Sequence, residues 1–414
     1  MPKDKGLYMP VEIPRLEQEF IDNIEQYSFQ EIAYRVASAL LGDEIPYADL
    51  RSIINEAINF DAPVVKLDGQ TFVLELFHGP SLAFKDFGAR LMSRIMAYFL
   101  QDGEQLLDVL VATSGDTGGA VALGFLGVPN TRITILYPKG KVSDVQELQL
   151  TTNGQNIRAI SIDGTFDDCQ ALVKQAFADE ELNAKFRLTS ANSINIARLV
   201  PQAFYYFNAY AQLKRQGLSE VVFAVPSGNF GNIGAGMLAY KMGLPVKRFI
   251  AATNSNDTVP RFLETGVYET KPSVQTYANA MDVGAPSNWV RIMDLFNGDI
   301  DKLKTMLKAY RFTDEETLQG METIFKKYGY MACPHTAIAW LAVEAYVQEN
   351  PEDESAKVFL STAHACKFPE VFPVAIREKL VLPAQLSSLQ GKAKQYKALD
   401  RDFEGFKQYL LDYN

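Results

Sequence analysis

From about residue 106 onward, short apolar runs alternate with longer stretches whose apolar residues fall three and four apart. The runs are "LLDVLVATS", "TRITILYP", "NIRAISI", "EVVFAVPSGN", "VKRFIAATN" and "AKVFLSTAH". Between them lie "DTGGAVALGFLG", stopped at Gly127, a stretch marked by Phe166, Cys169, Leu172, Val173, Ala176 and Phe177, and one marked by Leu199, Val200, Ala203, Phe204 and Phe207. A strand that is apolar on both faces has no side to give to water, so helices must cover it on both sides. Strand alternating with helix therefore confines the chain to the α/β class, with parallel-rich sheets flanked by helices. Residues 11–60 read as mostly helical, "TFVLEL" (71–76) as a further strand, and 389–414 as an amphipathic, helical packing segment. At 414 residues the chain is about twice a comfortable single core, so two domains or one large composite fold is expected.

Composition narrows the function by exclusion. A formal net charge of −10 opposes nucleic acid and anionic membranes, and any anion would need a local cationic pocket. Three cysteines, Cys169, Cys333 and Cys366, are odd in number and far apart, which suits a reducing compartment and no disulfide framework. No apolar run reaches membrane-spanning length, and "MPKDKGLYMP" lacks the apolar core of a signal peptide, so a cytoplasmic location is the expectation. Three histidines, His78, His335 and His364, offer no zinc-like spacing with cysteine, and no metal is expected. The Gly-x-Ser-x-Gly elbow of a hydrolase triad is also missing.

Ligands of open α/β sheets bind beyond the carboxyl ends of strands. In "HGPSLAFKDFGAR" (78–90), Lys85 falls at a strand-to-helix junction among Leu82, Phe84 and Phe87. A lysine there either snorkels to water or keeps a neutral, nucleophilic amine. "PSGNFGNIGAG" (226–236) follows a strand and opens a helix, where glycines allow close approach and free amides hold phosphate. It matches neither the Walker loop nor the dinucleotide fingerprint, and a packing turn is the alternative. "ATSGDTGGAVA" (112–122) offers Ser114, Thr117 and free amides to a carboxylate or phosphate, or is an ordinary helix cap. "SANSINIARLVPQ" (190–202) places Asn192, Ser193, Asn195 and Arg198 near a helix start, where Arg198 could fork onto phosphate or lie on the surface. "FLSTAHACKFPE" (359–370) ends a strand with Ser361, Thr362, His364 and Lys367. An amine, a phosphate cup and a carboxylate loop are together the parts that pyridoxal phosphate needs to act on an amino acid.

The stretches "LFHGPSLAFKDFGAR", "ATSGDTGGA", "ILYPKGKVS", "SANSINIARL", "VPSGNFGN", "IAATNSNDTVPRFL", "NAMDVGAPSNW" and "STAHACKFPE" resemble, in order, those of the threonine synthases of bacterial and fungal type. The resemblance spans about residues 40–370. It implies a two-domain pyridoxal phosphate enzyme of the tryptophan synthase β-like kind. Residues 1–90 and 200–414 would form the large cofactor domain, and 91–199 a smaller α/β domain bearing the substrate carboxylate loop. Lys85 then corresponds to the lysine that holds the cofactor as an imine and moves the Cα proton. Gly228, Asn229, Phe230, Gly231 and Asn232 correspond to its phosphate cup, and Thr362 to the group facing the pyridine nitrogen. Ser114, Asp116 and Thr117 would embrace the substrate carboxylate, and Lys141, Ser193, Asn195 and Arg198 its phosphate. The implied reaction turns O-phospho-L-homoserine and water into L-threonine and phosphate. A sister lyase releasing 2-oxobutyrate and a non-catalytic homologue are the rivals, and the oligomeric state is left open. The chain departs from the family pattern in two places. It begins almost at "GLYMP", so either a truncated start or a missing N-terminal strand is expected. Ala365 and Cys366 stand where the family often has Pro-Ala, so a local backbone change is expected there.

Overall fold

The computed structural model describes residues 6–100 and 106–412. The expectation of a missing N-terminal strand falls outside these residues. The strands are β1 (Val64–Asp68), β2 (Thr71–Glu75), β3 (Leu107–Ala112), β4 (Thr131–Pro138), β5 (Ile157–Asp163), β6 (Arg187–Ser190), β7 (Val221–Pro226), β8 (Arg248–Thr253), β9 (Leu307–Arg311), β10 (Ala356–Ser361) and β11 (Lys397–Asp400). They form two sheets, one in the order β1-β2-β10-β7-β8-β9 and one in the order β11-β5-β4-β3-β6. Every ladder is parallel except β1 against β2.

The apolar runs explain the layering. In β7, Val221, Phe223 and Val225 join the core under the Ile196–Lys214 helix, while Val222 and Ala224 join the core under the Pro334–Glu349 helix. Alternate side chains of one strand thus feed two separate cores, which is the period-two logic of a sheet buried on both faces. The smaller sheet repeats this, with Val109 and Val111 on one side and Leu110 and Ala112 on the other. The N-terminal helices Phe29–Leu41 and Tyr47–Ala57 pack into the same core as the Ile196–Lys214 helix.

The C-terminal segment lies elsewhere than its sequence assignment. Residues 397–412 do not join the larger sheet. β11 adds to β5, and Phe406 and Leu410 of the Phe403–Asp412 helix pack with Cys169 and Leu172 on the smaller sheet. The amphipathic pattern is real, but its apolar face is taken by the Phe166–Ala178 helix.

Candidate active site

The carboxyl ends of the central strands converge on one pocket. β2 and β10 are adjacent and parallel, so the residues just after them also meet. The Phe84 amide donates to the Thr362 carbonyl at 2.9 Å, and Ala83 bridges Ala363. Lys85 and Thr362 therefore line the same wall, with Lys85 opening the Lys85–Leu100 helix. After β7 the chain turns through Phe230, held in the left-handed region at φ 59°, and enters the Gly231–Lys241 helix. Among the described residues no side chain caps that helix, so its first amides face the pocket unclaimed. After β3, Thr113 Oγ1 accepts from the amides of Gly115 and Gly118, bending the chain into the Asp116–Phe125 helix. Gly228 is glycine for a steric reason, because a Cβ there would stand 2.5 Å from Met281 Cα.

Charge is concentrated and mostly positive. Desolvation pulls the Lys85 ammonium down to about 8; the Asp116 carboxylate opposes this, while Arg198 and Lys367 add to it. Burial alone would raise the Asp116 carboxyl, but the Lys367 ammonium at 2.6 Å, helped by Lys85, holds it well below the usual carboxylate range. Gln146 Nε2 donates to the same Asp116 oxygen at 3.0 Å, and Lys367 also donates to the Ser81 carbonyl at 3.1 Å. Burial lowers Arg198 to about 10, so it stays charged at neutral pH. Its Nη1 donates to the Ala191 carbonyl at 2.6 Å, and its buried Nε has no partner among the described residues. Burial drives His335 down to about 4, against the pull of Asp116, so the ring is neutral. Its Nε2 accepts from the Ala280 amide at 3.2 Å, which leaves the ring proton on Nδ1, facing Cys333 Sγ. Asp86, next to Lys85, is pushed up to about 6 by burial and accepts from the Ser81 amide at 2.8 Å.

Of the residues picked from sequence, the pocket brings together Lys85, Ser114, Asp116, Thr117, Ser193, Arg198, Thr362 and the whole Gly228–Asn232 turn. Two lie off it. Lys141 is exposed, on the turn after β4. Asn195 caps the Ile196–Lys214 helix: its Oδ1 accepts from the Ala197 amide at 3.1 Å and its Nδ2 donates to the Ser190 carbonyl at 3.1 Å. Three residues passed over as site residues belong to it: Lys174 and His335 line the pocket, and Lys367 pins Asp116. The Ala365–Lys367 turn carries the unusual Ala365 and Cys366 and still delivers Lys367 to Asp116.

A family model for pyridoxal-phosphate dependent enzymes matches residues 59–362. Models for the threonine synthase N terminus and the threonine synthase C-terminal region match 1–58 and 336–410. Threonine synthase from Escherichia coli is 44% identical over 411 residues, covering 99% of this chain and 94% of that protein. That of Serratia marcescens is 47% identical over 385 residues, covering 93% and 88%. The chain belongs to the threonine synthase family. The crystal structure of the E. coli member superposes with a TM-score of 0.93 over 100% of this chain and 95% of that one. A PLP-bound member from Brucella melitensis is 38% identical, with a TM-score of 0.89 over 99% and 93%. This family member is thus a pyridoxal phosphate-dependent enzyme acting on a small molecule.

The residues fit the cofactor. Tyr205 and Tyr206 both donate to Asn232 Oδ1, at 2.6 and 2.8 Å, which fixes that amide. Among the described residues Asn232 Nδ2 is then left buried without a partner, beside the open amides of the Gly231–Lys241 helix. Buried donors are satisfied in native proteins, so orphans converging on a pocket call for an anion. The Lys85 amine, drawn down to about 8, suits an aldehyde.

Proposed function

We propose that this pocket converts O-phospho-L-homoserine and water into L-threonine and phosphate. One observation carries the reading: an amine of lowered pKa shares a pocket with two open helix N-termini and the cations Arg198 and Lys174. When bound, pyridoxal phosphate supplies an electron sink for the carbanions of an amino-acid substrate. Lys85 would hold its aldehyde carbon, and the Gly228–Asn232 turn its phosphate. Thr362, on the wall beside Lys85, would face the ring with a neutral hydroxyl. The Lys85 amine would also move the Cα proton of the substrate, aided by a pKa drawn down to about 8. The amides of Asp116 and Thr117, with Ser114, would hold the substrate carboxylate at the start of the Asp116–Phe125 helix. The Asp116 carboxylate itself repels that group, so its role is to anchor Lys367. Arg198 and Lys174 would meet the leaving phosphate as its charge grows.

The larger unit would carry β1, β2 and β7 to β10, and the smaller unit β3 to β6 with β11, the pocket lying between the two sheets' strand ends. No helix among the described residues is long and apolar enough to cross a membrane; we place the enzyme in the cytoplasm on composition. The test is turnover of O-phosphohomoserine with product analysis. Threonine with phosphate is expected, and 2-oxobutyrate would overturn the reading in favour of a lyase. Borohydride reduction should place the pyridoxyl group on Lys85, and a label on another lysine would overturn that assignment. Arg198→Ala should keep the cofactor yet lower kcat/KM by about 2–4 kcal/mol, the worth of a charge-assisted contact in a closed site.

A further inference from the structure

Behind the phosphate cup lies a buried arginine that no carboxylate among the described residues matches. Arg291 is 1% exposed, and burial lowers it to about 10, so it is still a cation at neutral pH. Every acceptor it reaches is neutral: the carbonyls of Tyr8, Ser193 and Ile194, and Asn288 Oδ1 at 2.6 Å. Among the described residues it forms no ion pair. An unpaired charge taken out of water is costly to keep, so its placement asks for a reason.

The reason is readable atom by atom. Because Asn288 Oδ1 accepts from Arg291, the other end of that amide, Nδ2, must be the donor end. It donates to Ser193 Oγ at 3.1 Å and to the Asn229 carbonyl at 3.0 Å. Asn229 is fixed in the same way: its Oδ1 accepts from the Ser287 amide at 2.6 Å, and its Nδ2 donates to Ser193 Oγ at 2.6 Å. The Ser193 oxygen therefore accepts twice, from two groups that can only donate. A hydroxyl has two lone pairs and one proton. Both lone pairs are used, and among the described residues the proton has no acceptor. Ser193 lines the pocket, and a Cβ on Gly231, the first residue of the cup helix, would lie 3.6 Å from Ser193 Cβ.

We propose that Arg291 is a positioning residue for phosphate binding: through Asn288 it fixes Ser193 as a one-way hydrogen-bond donor to a phosphate monoester in the pocket, with its own buried charge behind that donor. The monoester is that of the cofactor or of the substrate. The inference rests on the pocket's assignment to those two molecules.

Arg291 also holds the Tyr8 carbonyl, so removing it risks the fold, and the informative variant is Asn288→Asp. That change keeps the shape and the acceptor for Arg291, but deletes the donated proton and neutralises the cation. Affinities for pyridoxal phosphate and for pyridoxal, which lacks the phosphate, are read from the absorbance of the imine on Lys85. Asn288→Asp and Ser193→Ala should each weaken pyridoxal phosphate at least tenfold while changing pyridoxal less than twofold. The double variant should be no more than about threefold worse than the weaker single one, because Asn288 acts through Ser193. If the phosphate is the substrate's, the tenfold loss appears instead in KM for O-phosphohomoserine, with kcat kept. Two results would overturn the relay: no change in either quantity, or pyridoxal weakened as much as its phosphate. A parent protein that binds no pyridoxal phosphate would overturn the pocket's assignment itself, and the relay with it.

Discussion

Lys367→Met is the sharpest perturbation of the pocket's electrostatics. Lys367 and Asp116 stand 2.6 Å apart with side chains 0% and 4% exposed, so neither can turn to water when its partner is lost. Breaking a pair buried this deeply costs about 3–5 kcal/mol, because the remaining charge stays desolvated and unmatched. The Gln146 amide and the Lys85 ammonium offer Asp116 partial compensation, so the lower half of that range is expected at pH 8. The pH dependence has a definite sign. In the parent, Asp116 is depressed, so the pair's contribution is whole above the usual carboxylate range and lost only in strong acid. In the variant, burial acts on Asp116 with less opposition, its pKa moves up, and protonation relieves the buried charge. The gap between parent and variant therefore narrows as pH falls from 8 towards 5. Guanidinium unfolding of the cofactor-free protein, followed through Trp289 and Trp340, measures it. The double variant Lys367→Met/Asp116→Asn, with no stranded charge, should recover most of the loss. A single variant within about 1 kcal/mol of the parent at pH 8, or a double variant as unstable as the single, would refute the argument.

Three further outcomes follow from the same geometry. The rate of cofactor uptake should climb as pH rises through about 8, where the Lys85 amine loses its proton, and level off above; a flat profile from pH 7 to 9 would contradict the lowered pKa. Gly228→Ala should loosen pyridoxal phosphate far more than Gly231→Ala, since the added carbon meets Met281 backbone at 2.5 Å in the first case and Asn288 Nδ2 at 3.4 Å in the second; equal retention would show that the cup is not shaped by this contact. Tyr205→Phe and Tyr206→Phe should each cost about 1 kcal/mol of stability, and together they should free Asn232 and weaken the cofactor, as checked by thermal melts and cofactor titration.

The strands legible in sequence and those that were not divide along a physical line. β2, β3, β4, β5, β7, β8 and β10 are interior strands, and their apolar runs announce them. The four overlooked, β1, β6, β9 and β11, are the four sheet edges. Each is only four or five residues long and is partly exposed, with polar or charged residues that read as loop or helix surface. Edges are kept short and charged in natural sheets, which weakens their period-two signal. The site divides in a similar way. Lys85 and the Gly228–Asn232 turn carry local signatures. The Asp116–Lys367 pair carries none, because only the topology brings these two residues together. Asn195 carried the ordinary signal of a helix cap, and that is its place. Lys141 rested on resemblance alone, and its turn faces solvent.

The position of β10 has a consequence for biosynthesis. Among the described residues it alone links the β1-β2 pair to the β7-β8-β9 set, yet it comes from residues 356–361, late in translation. A ribosome-bound chain that has already made the Lys85–Leu100 helix and the Gly228–Asn232 turn holds them on two unjoined half-sheets, each with an open inner edge. Those edges, β2 and β7, are mostly apolar and lie in the middle of the finished sheet, the kind of surface that pairs with neighbouring chains. The enzyme is therefore expected to gain cofactor affinity in a single step as β10 leaves the exit tunnel, and to depend on chaperone cover until then. Nascent chains arrested before and after that point, compared for pyridoxal phosphate capture, would show the step.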